Sequence, residues 1–240
     1  MSERPANAIK RAIADGRRIR GFHLTFPAPG VIELMALAKI DYVYLDGEHG
    51  AFDARDIEAC CIAAERHGIT PIARVPDPQP ATIGHFLDRG VKGIAVPHVD
   101  GVDDAKRVID AAYYGPLGNR SFGGARPLFV AGIPDKPAFL ARENTEISVS
   151  IMIETRGALA AAGEIAALPG IDYMSFGLMD LSQSLGHPGD PGAAEVRAAV
   201  EDASARIRAA GKPVREDFVT VGWVNDLLLA GADQIFGAAP

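Results

Sequence analysis

Tyr42-Val43-Tyr44-Leu45-Asp46-Gly47-Glu48-His49-Gly50 carries an apolar run directly into two carboxylates and an imidazole. The run has the length and composition of a buried strand. Charged groups at its carboxyl end are costly to bury, and active sites of α/β folds gather at that edge. A strand-end Asp or Glu also serves to cap the next helix, a part that Asp53 and Asp56 are equally placed to take. The imidazole of His49 beside Asp46 and Glu48 points toward chemistry.

Working outward, similar runs lie at Ile19 to Leu24, Thr70 to Ala73, Lys92 to Val96, Ile147 to Ile153, Tyr173 to Phe176, Pro213 to Val214 and Asp233 to Phe236, eight in all. Between them, helical periodicity starts near Gly30, Asp53, Pro80, Val102, Gly157, Gly192 and Thr220, with apolar residues three or four apart. Regular strand–helix alternation implies a parallel sheet, and eight repeats imply a (β/α)8 TIM barrel. The chain reaches Gly237-Ala238-Ala239-Pro240 directly after the eighth run, so a barrel lacking its C-terminal eighth helix is expected, with one face open or covered by another subunit. Residues 1–240 read as a single barrel domain, without a repeat or linker.

Composition bounds the function. A net charge of −7 and a pI near 5.4 argue against nucleic-acid or anionic-membrane partners, which favour a concentrated basic face. Cys60 and Cys61 are adjacent in a helical pattern and cannot build a disulfide framework, which suits a reducing compartment. The N-terminal stretch lacks the apolar core of a secretory signal, and no run reaches membrane-spanning length, so a cytoplasmic protein is expected. Tyr113 to Lys136, rich in glycine and proline, reads as a long irregular excursion, either a solvated connector or a lid that presents Arg120 and Arg126 to an anionic substrate.

Other strand ends repeat the pattern of the first. Arg74 ends the third, His98 follows the fourth, Glu154 ends the fifth, and the sixth runs into Gly177-Leu178-Met179-Asp180. Carboxylates on consecutive strands about 4.8 Å apart can share one hard cation such as Mg²⁺ or Mn²⁺, which makes Glu154 and Asp180 candidate ligands. A zinc cluster is absent from the sequence. The alternatives are a helix cap at Asp180 and an ion pair from Glu154 to Arg156. The planar fork of Arg74 suits a carboxylate or an enolate oxygen, or else it pairs with Asp46 or Glu48.

Together, Leu45-Asp46-Gly47-Glu48-His49, Ala73-Arg74-Val75-Pro76, Leu87-Asp88, Val96-Pro97, Tyr114 to Arg120, Ile153-Glu154-Thr155-Arg156 and Gly177 to Ser182 resemble the HpcH/HpaI family of class II pyruvate aldolases, in order along nearly the whole chain. The resemblance extends to its 4-hydroxy-2-oxoheptanedioate and 2-dehydro-3-deoxyglucarate aldolases. It implies a TIM-barrel aldolase that needs a divalent cation (Mg²⁺, Mn²⁺ or Co²⁺) and joins or cleaves a 2-oxo acid, such as pyruvate or hydroxypyruvate, and an aldehyde. By position, Glu154 and Asp180 correspond to the metal ligands, Arg74 to the enolate-stabilising arginine, and His49 to the general base oriented by Asp46 and Asp88. Gly177, Leu178, Met179 and His23 border the substrate. A homo-oligomer, trimer or hexamer, is implied, with a place in aromatic or sugar-acid catabolism.

The chain departs from the family pattern at four positions. Met152 stands for an expected glutamine, Leu178 for a proline, His23 for a tryptophan, and Arg215 for a small or apolar residue. Arg215 either meets a distal acid of the substrate or pairs with Glu216 or Asp217, the latter being favoured. Trp223 is expected on the seventh helix. Two other functions stay open: a citramalyl- or malyl-thioester lyase, and a barrel that binds a 2-oxo acid without turnover.

Overall fold

The strand parity set by Tyr42 to Asp46 governs the architecture: Tyr44 and Asp46 face one way, Val43 and Leu45 the other. In the computed structural model, which describes residues 6–132 and 135–237, Val43 and Leu45 belong to one hydrophobic core and Tyr42 and Tyr44 to another. Pro134 of the long excursion and the terminal Ala238, Ala239 and Pro240 lie outside the described residues.

Seven strands form one all-parallel sheet: β1 (Ile19–Leu24), β2 (Tyr42–Asp46), β3 (Thr70–Arg74), β4 (Gly93–Val96), β5 (Ser148–Ile153), β6 (Tyr173–Phe176) and β7 (Val219–Trp223). Their order is β6-β5-β4-β3-β2-β1-β7. The sheet curls, and Val214 makes a single parallel bridge to Met174 at its β6 edge. From Val214 the chain passes through one helical turn, Arg215–Phe218, into β7 beside β1, so the same short segment serves both edges.

The outer core packs Phe22, Leu24, Val43 and Leu45 against the surrounding helices, including Ile57, Cys60 and Cys61 of the helix Ala54–Arg66. A smaller inner cluster holds Ile19, Tyr42, Tyr44, Ile72 and Tyr173. Ile9 and Ala12 of the helix Ala8–Asp15 join it and plug the N-terminal mouth. Polar chemistry is thereby confined to the other mouth, where the strands end.

Asp53 caps the helix Ala54–Arg66: its Oδ1 accepts from the amides of Arg55 and Asp56, and Asp56 Oδ2 accepts from the amide of Asp53. Such a cap is worth about 1 kcal/mol. With that helix capped, Asp46 and Glu48 are free for other work.

The sheet departs from expectation at its end. The last strand is Val219–Trp223, where a helix was expected near Thr220; Val219, Val221 and Trp223 alternate with Thr220 and Gly222, a strand period. Asp233 to Phe236, expected to be the eighth strand, closes a helix, Val224–Phe236. A terminal helix therefore does follow the last strand. The thin region lies between Val214 and Val219, where a single turn replaces a full crossover helix. Trp223 ends a strand and lies on no helix.

Candidate active site

Register places the first pair. Asp46 of β2 lies opposite Arg74 of β3. Arg74 donates through Nε to Asp46 Oδ1 at 2.9 Å and through Nη2 to Oδ2 at 2.6 Å, a bidentate fork. Asp46 Oδ1 also accepts from the amides of Glu48 and His49, so one carboxylate holds both the guanidinium and the loop that carries the imidazole. These bonds hold the Asp46 carboxyl below the usual carboxylate range, against the burial that raises it. Gly47 donates to the carbonyl of Arg74, and a Cβ there would sit 2.6 Å from that oxygen and 2.7 Å from the Phe86 ring. Only glycine lets the loop lie this close to β3.

Arg74 Nη1 lies 3.1 Å from Glu48 Oε2, and Glu48 Oε1 lies 2.8 Å from His98 Nε2. His98 occupies the left-handed region at φ 58°, a conformation that costs a non-glycine residue about 1–3 kcal/mol. It aims the backbone amide of His98 at Glu154 Oε1, 2.6 Å away, while His98 Nδ1 stands 3.3 Å from the same oxygen. Glu154 is buried at the end of β5. Burial raises its pKa, the negative charges of Glu48 and Asp180 add to the rise, and His98 opposes it. Gly177 presses on the other oxygen: a Cβ there would meet Glu154 Oε2 at 2.7 Å.

Three carboxylates thus crowd one corner: Glu48, Glu154 and Asp180. Asp180 lies in the first turn of the helix Leu178–Ser184 and is exposed, and Gly177 occupies the cap position. The pair from Glu154 to Arg156 does not form, since Arg156 donates instead to the carbonyl of Ser184. Among the described residues no three His, Cys, Asp or Glu side chains form a ready metal cage. Two hard oxygen donors crowded by like charge fit a divalent cation that takes its other ligands from water and substrate oxygens.

Beside this corner opens a cavity of about 290 Å³ lined by His49, Arg74, Met152, Phe176, Gly177, Leu178, Met179 and Asp180 on one side and His23, Tyr44, Arg215 and Trp223 on the other. Register explains the second group: His23 of β1 is flanked by Tyr44 of β2 and Trp223 of β7. The imidazole stacks on Tyr44 at 4.2 Å between centroids and meets Trp223 edge-on at 4.7 Å. Burial, reinforced by the positive charge of Arg215, lowers its pKa to about 3, so His23 is neutral.

The expected residues do not all meet. His49, Arg74, Gly177, Leu178, Met179, Asp180 and His23 share the cavity, with Asp46 and Glu154 against its wall. Asp88 does not join them. It ends the helix Pro80–Asp88, its carboxylate accepts from Arg120 at 2.8 Å, and it lines a different cleft with His85 and Asn119. Asp46 reaches the backbone of His49 and not its ring. Arg120 and Arg126 form no lid: Arg120 is buried over the Tyr114 ring, and Arg126 pairs with Glu65 at 2.6 Å. Part of that excursion is helical, Arg126–Ala131. Glu48, His98 and Trp223, absent from the expected site residues, also stand at the site; strand-end positions pointed to Glu48 and His98, whereas Trp223 was expected on a helix.

A parallel sheet curled about a plugged core, with carboxylates, a guanidinium and imidazoles gathered at its C-terminal mouth, defines an α/β-barrel enzyme. The chain belongs to the HpcH/HpaI aldolase/citrate lyase family, whose model matches residues 21–227, and it is an aldolase, a carbon–carbon lyase. It is 35% identical to a hydroxypyruvate/pyruvate aldolase of Roseovarius nubinhibens over 96% of this chain and 92% of that one. It is 38% identical to a 4-hydroxy-2-oxovalerate aldolase of Rhodococcus jostii over 87% of this chain and 80% of the other. In structure it is similar to an HpcH/HpaI aldolase/citrate lyase family protein from Burkholderia cenocepacia, with a TM-score of 0.86, 26% identity and coverage of 95% and 97% of the two chains.

Proposed function

We propose that this aldolase reversibly cleaves 4-hydroxy-2-oxo acids to pyruvate, or a close 2-oxo acid such as hydroxypyruvate, and an aldehyde, with a divalent cation (Mg²⁺, Mn²⁺ or Co²⁺) held by Glu154 and Asp180. The observation that carries this reading is the shared cavity wall, where Arg74, His49 and Asp180 converge beside buried Glu154. The relatives named as pyruvate and hydroxypyruvate aldolases support it.

The bound cation would supply Lewis-acid stabilisation of the enolate. The chain's own groups do the rest. His49, anchored by its amide to Asp46, takes the proton of the 4-hydroxyl as the C3–C4 bond breaks. The bond's electrons pass to the 2-oxo acid half, and Arg74 offsets the charge on the enolate oxygen. Asp46 holds the Nε and Nη2 edge of Arg74 and Glu48 Oε2 stands 3.1 Å from Nη1, so the guanidinium would meet the enolate oxygen with donors it shares with these carboxylates. Protonation at C3 completes the 2-oxo acid, and synthesis runs the same steps backward. The first helical turn after β6, from Leu178, borders the acid's carboxylate.

No helix among the described residues is long and apolar enough to cross a membrane. Two buried free cysteines, Cys60 and Cys61, support a reducing, cytoplasmic setting. Exposed Leu34, Leu37, Leu228, Leu229 and Phe236 support a homo-oligomer.

A direct test follows pyruvate release from 4-hydroxy-2-oxovalerate with added Mg²⁺ or Mn²⁺ and after chelation. Release that stops on chelation and returns with metal is expected. Release indifferent to chelation would remove the metal from the reading, and no release from any 4-hydroxy-2-oxo acid would remove the reaction.

A further inference from the structure

Two non-glycine residues among those described have positive φ, Lys39 at 56° and His98 at 58°. Lys39 follows the end of the helix Pro29–Leu37, where a left-handed residue is a common way to stop a helix. His98 ends no helix. It stands between Val96 and Val99, both buried in the outer core, so the chain is pinned on either side and the strained residue lies at the barrel mouth. Strain of this kind persists where surrounding structure enforces it, and it gathers at functional sites.

The amide of His98 shows what the conformation achieves. It donates to Glu154 Oε1 at 2.6 Å, a short bond to a charged acceptor. The ring reinforces it: Nδ1 stands 3.3 Å from the same oxygen, and Nε2 lies 2.8 Å from Glu48 Oε1. Glu154 Oε1 is thereby occupied from the protein side. The other oxygen, Oε2, faces Gly177, where a Cβ would come within 2.7 Å, and Gly177 opens the helix whose first turn carries Asp180. Tying one oxygen of a flexible side chain thus turns the second toward the other carboxylate. His98 itself does not line the cavity.

Resting on the reading that Glu154 and Asp180 hold a divalent cation, we propose that His98 is a positioning residue for that site. Its left-handed backbone fixes Glu154 Oε1 to the main chain and leaves Oε2 for the cation, while the ring steadies Glu48 at the same corner. Hydrogen bonds to a ligating carboxylate set its orientation, and their removal typically costs about 10- to 100-fold in metal affinity.

The test measures Mn²⁺ binding to chelator-stripped protein from the EPR signal of the free ion, in wild type, His98→Val, His98→Asn and Glu154→Gln. A β-branched valine is an outlier in the left-handed region, whereas asparagine enters it readily. His98→Val should weaken binding about 10- to 100-fold, and His98→Asn, which keeps the backbone conformation, should stay within about threefold of wild type. If His98→Val does not fold, heteronuclear NMR of the wild type reads the same bond: the His98 amide proton should lie far downfield and move upfield in Glu154→Gln. Mn²⁺ bound as tightly by His98→Val as by wild type, binding as weak in His98→Asn as in His98→Val, or a His98 amide proton indifferent to Glu154→Gln would overturn the proposal. Those outcomes leave the metal reading standing. Wild type that binds no Mn²⁺, or binding undiminished in Glu154→Gln, would defeat the metal reading and the proposal with it.

Discussion

The two ends of the cavity are built on opposite terms. At Asp46 the carboxylate is matched by the guanidinium of Arg74 and by the amides of Glu48 and His49, which ties two strands and a loop together. Around His23 the imidazole has aromatic neighbours but no hydrogen-bond partner among the described residues. A saturated network gives position; an unsaturated one leaves donors for a ligand.

The sharpest way to break that contrast is at the saturated end. Arg74→Met leaves Asp46 buried without its counter-charge, and a fall in unfolding free energy of about 3–5 kcal/mol is expected in urea titration. Arg74→Met combined with Asp46→Leu should recover part of that loss, because the stranded charge is gone. Equal destabilisation of the single and double variants would show that the network is not what fixes this end.

Gly47→Ala probes the same end through the backbone. The added methyl meets the Arg74 carbonyl, which has no rotamer to yield, and a loss of about 1–3 kcal/mol is expected from thermal or chemical unfolding. A variant as stable as the wild type would mean that the loop lies further from β3 than described.

At the unsaturated end the prediction is a pH dependence. His23 has its folded pKa depressed to about 3, below the roughly 6.5 of the unfolded chain, so the unfolded state binds the proton first. Stability is whole above about pH 6.5 and lost as pH falls toward 3, by about 1 kcal/mol from pH 6 to pH 5. Asp46, with its pKa lowered, adds a loss only at more acid pH, as pH falls below the unfolded carboxyl value toward the folded one. Subtracting the profile of His23→Leu isolates the histidine. Identical slopes from pH 6 to 5 in the two proteins would show that His23 is solvated or paired.

The smallest effect is expected far from the cavity. Arg206→Ala breaks an exposed helical pair with Asp202, and a change below about 1 kcal/mol is expected. A larger loss would point to the bonds Arg206 makes to the carbonyls of Leu159 and Ala160.

Period-two parity made much of the site legible. Tyr44, Asp46, Arg74, Met152 and Glu154 sit at strand positions that face inward at the carboxyl ends, and simple alternation finds them once the strands are set. The end of the chain misled because Gly222 and Thr220 dilute the apolar signal of Val219 to Trp223 while Asp233 to Phe236 ends in the apolar pair Ile235-Phe236; pairing with β1 decided for the former. Partner choice was not legible. Nothing local says that Asp88 meets Arg120, thirty-two residues away, or that Arg126 meets Glu65, since both contacts depend on how helices settle around the barrel. The bare nitrogens of His23 were equally hidden, because burial without a partner is a property of the assembled core.

The most direct measurement of the central claim is exchange of pyruvate methyl protons with deuterated water, followed by NMR in wild type with Mg²⁺ or Mn²⁺, in wild type after chelation, and in Glu154→Gln. Exchange that requires both the metal and Glu154 is expected, because the proposed function has the enolate stabilised by a cation held on that carboxylate. Exchange at an undiminished rate in the chelated enzyme or in Glu154→Gln would contradict it.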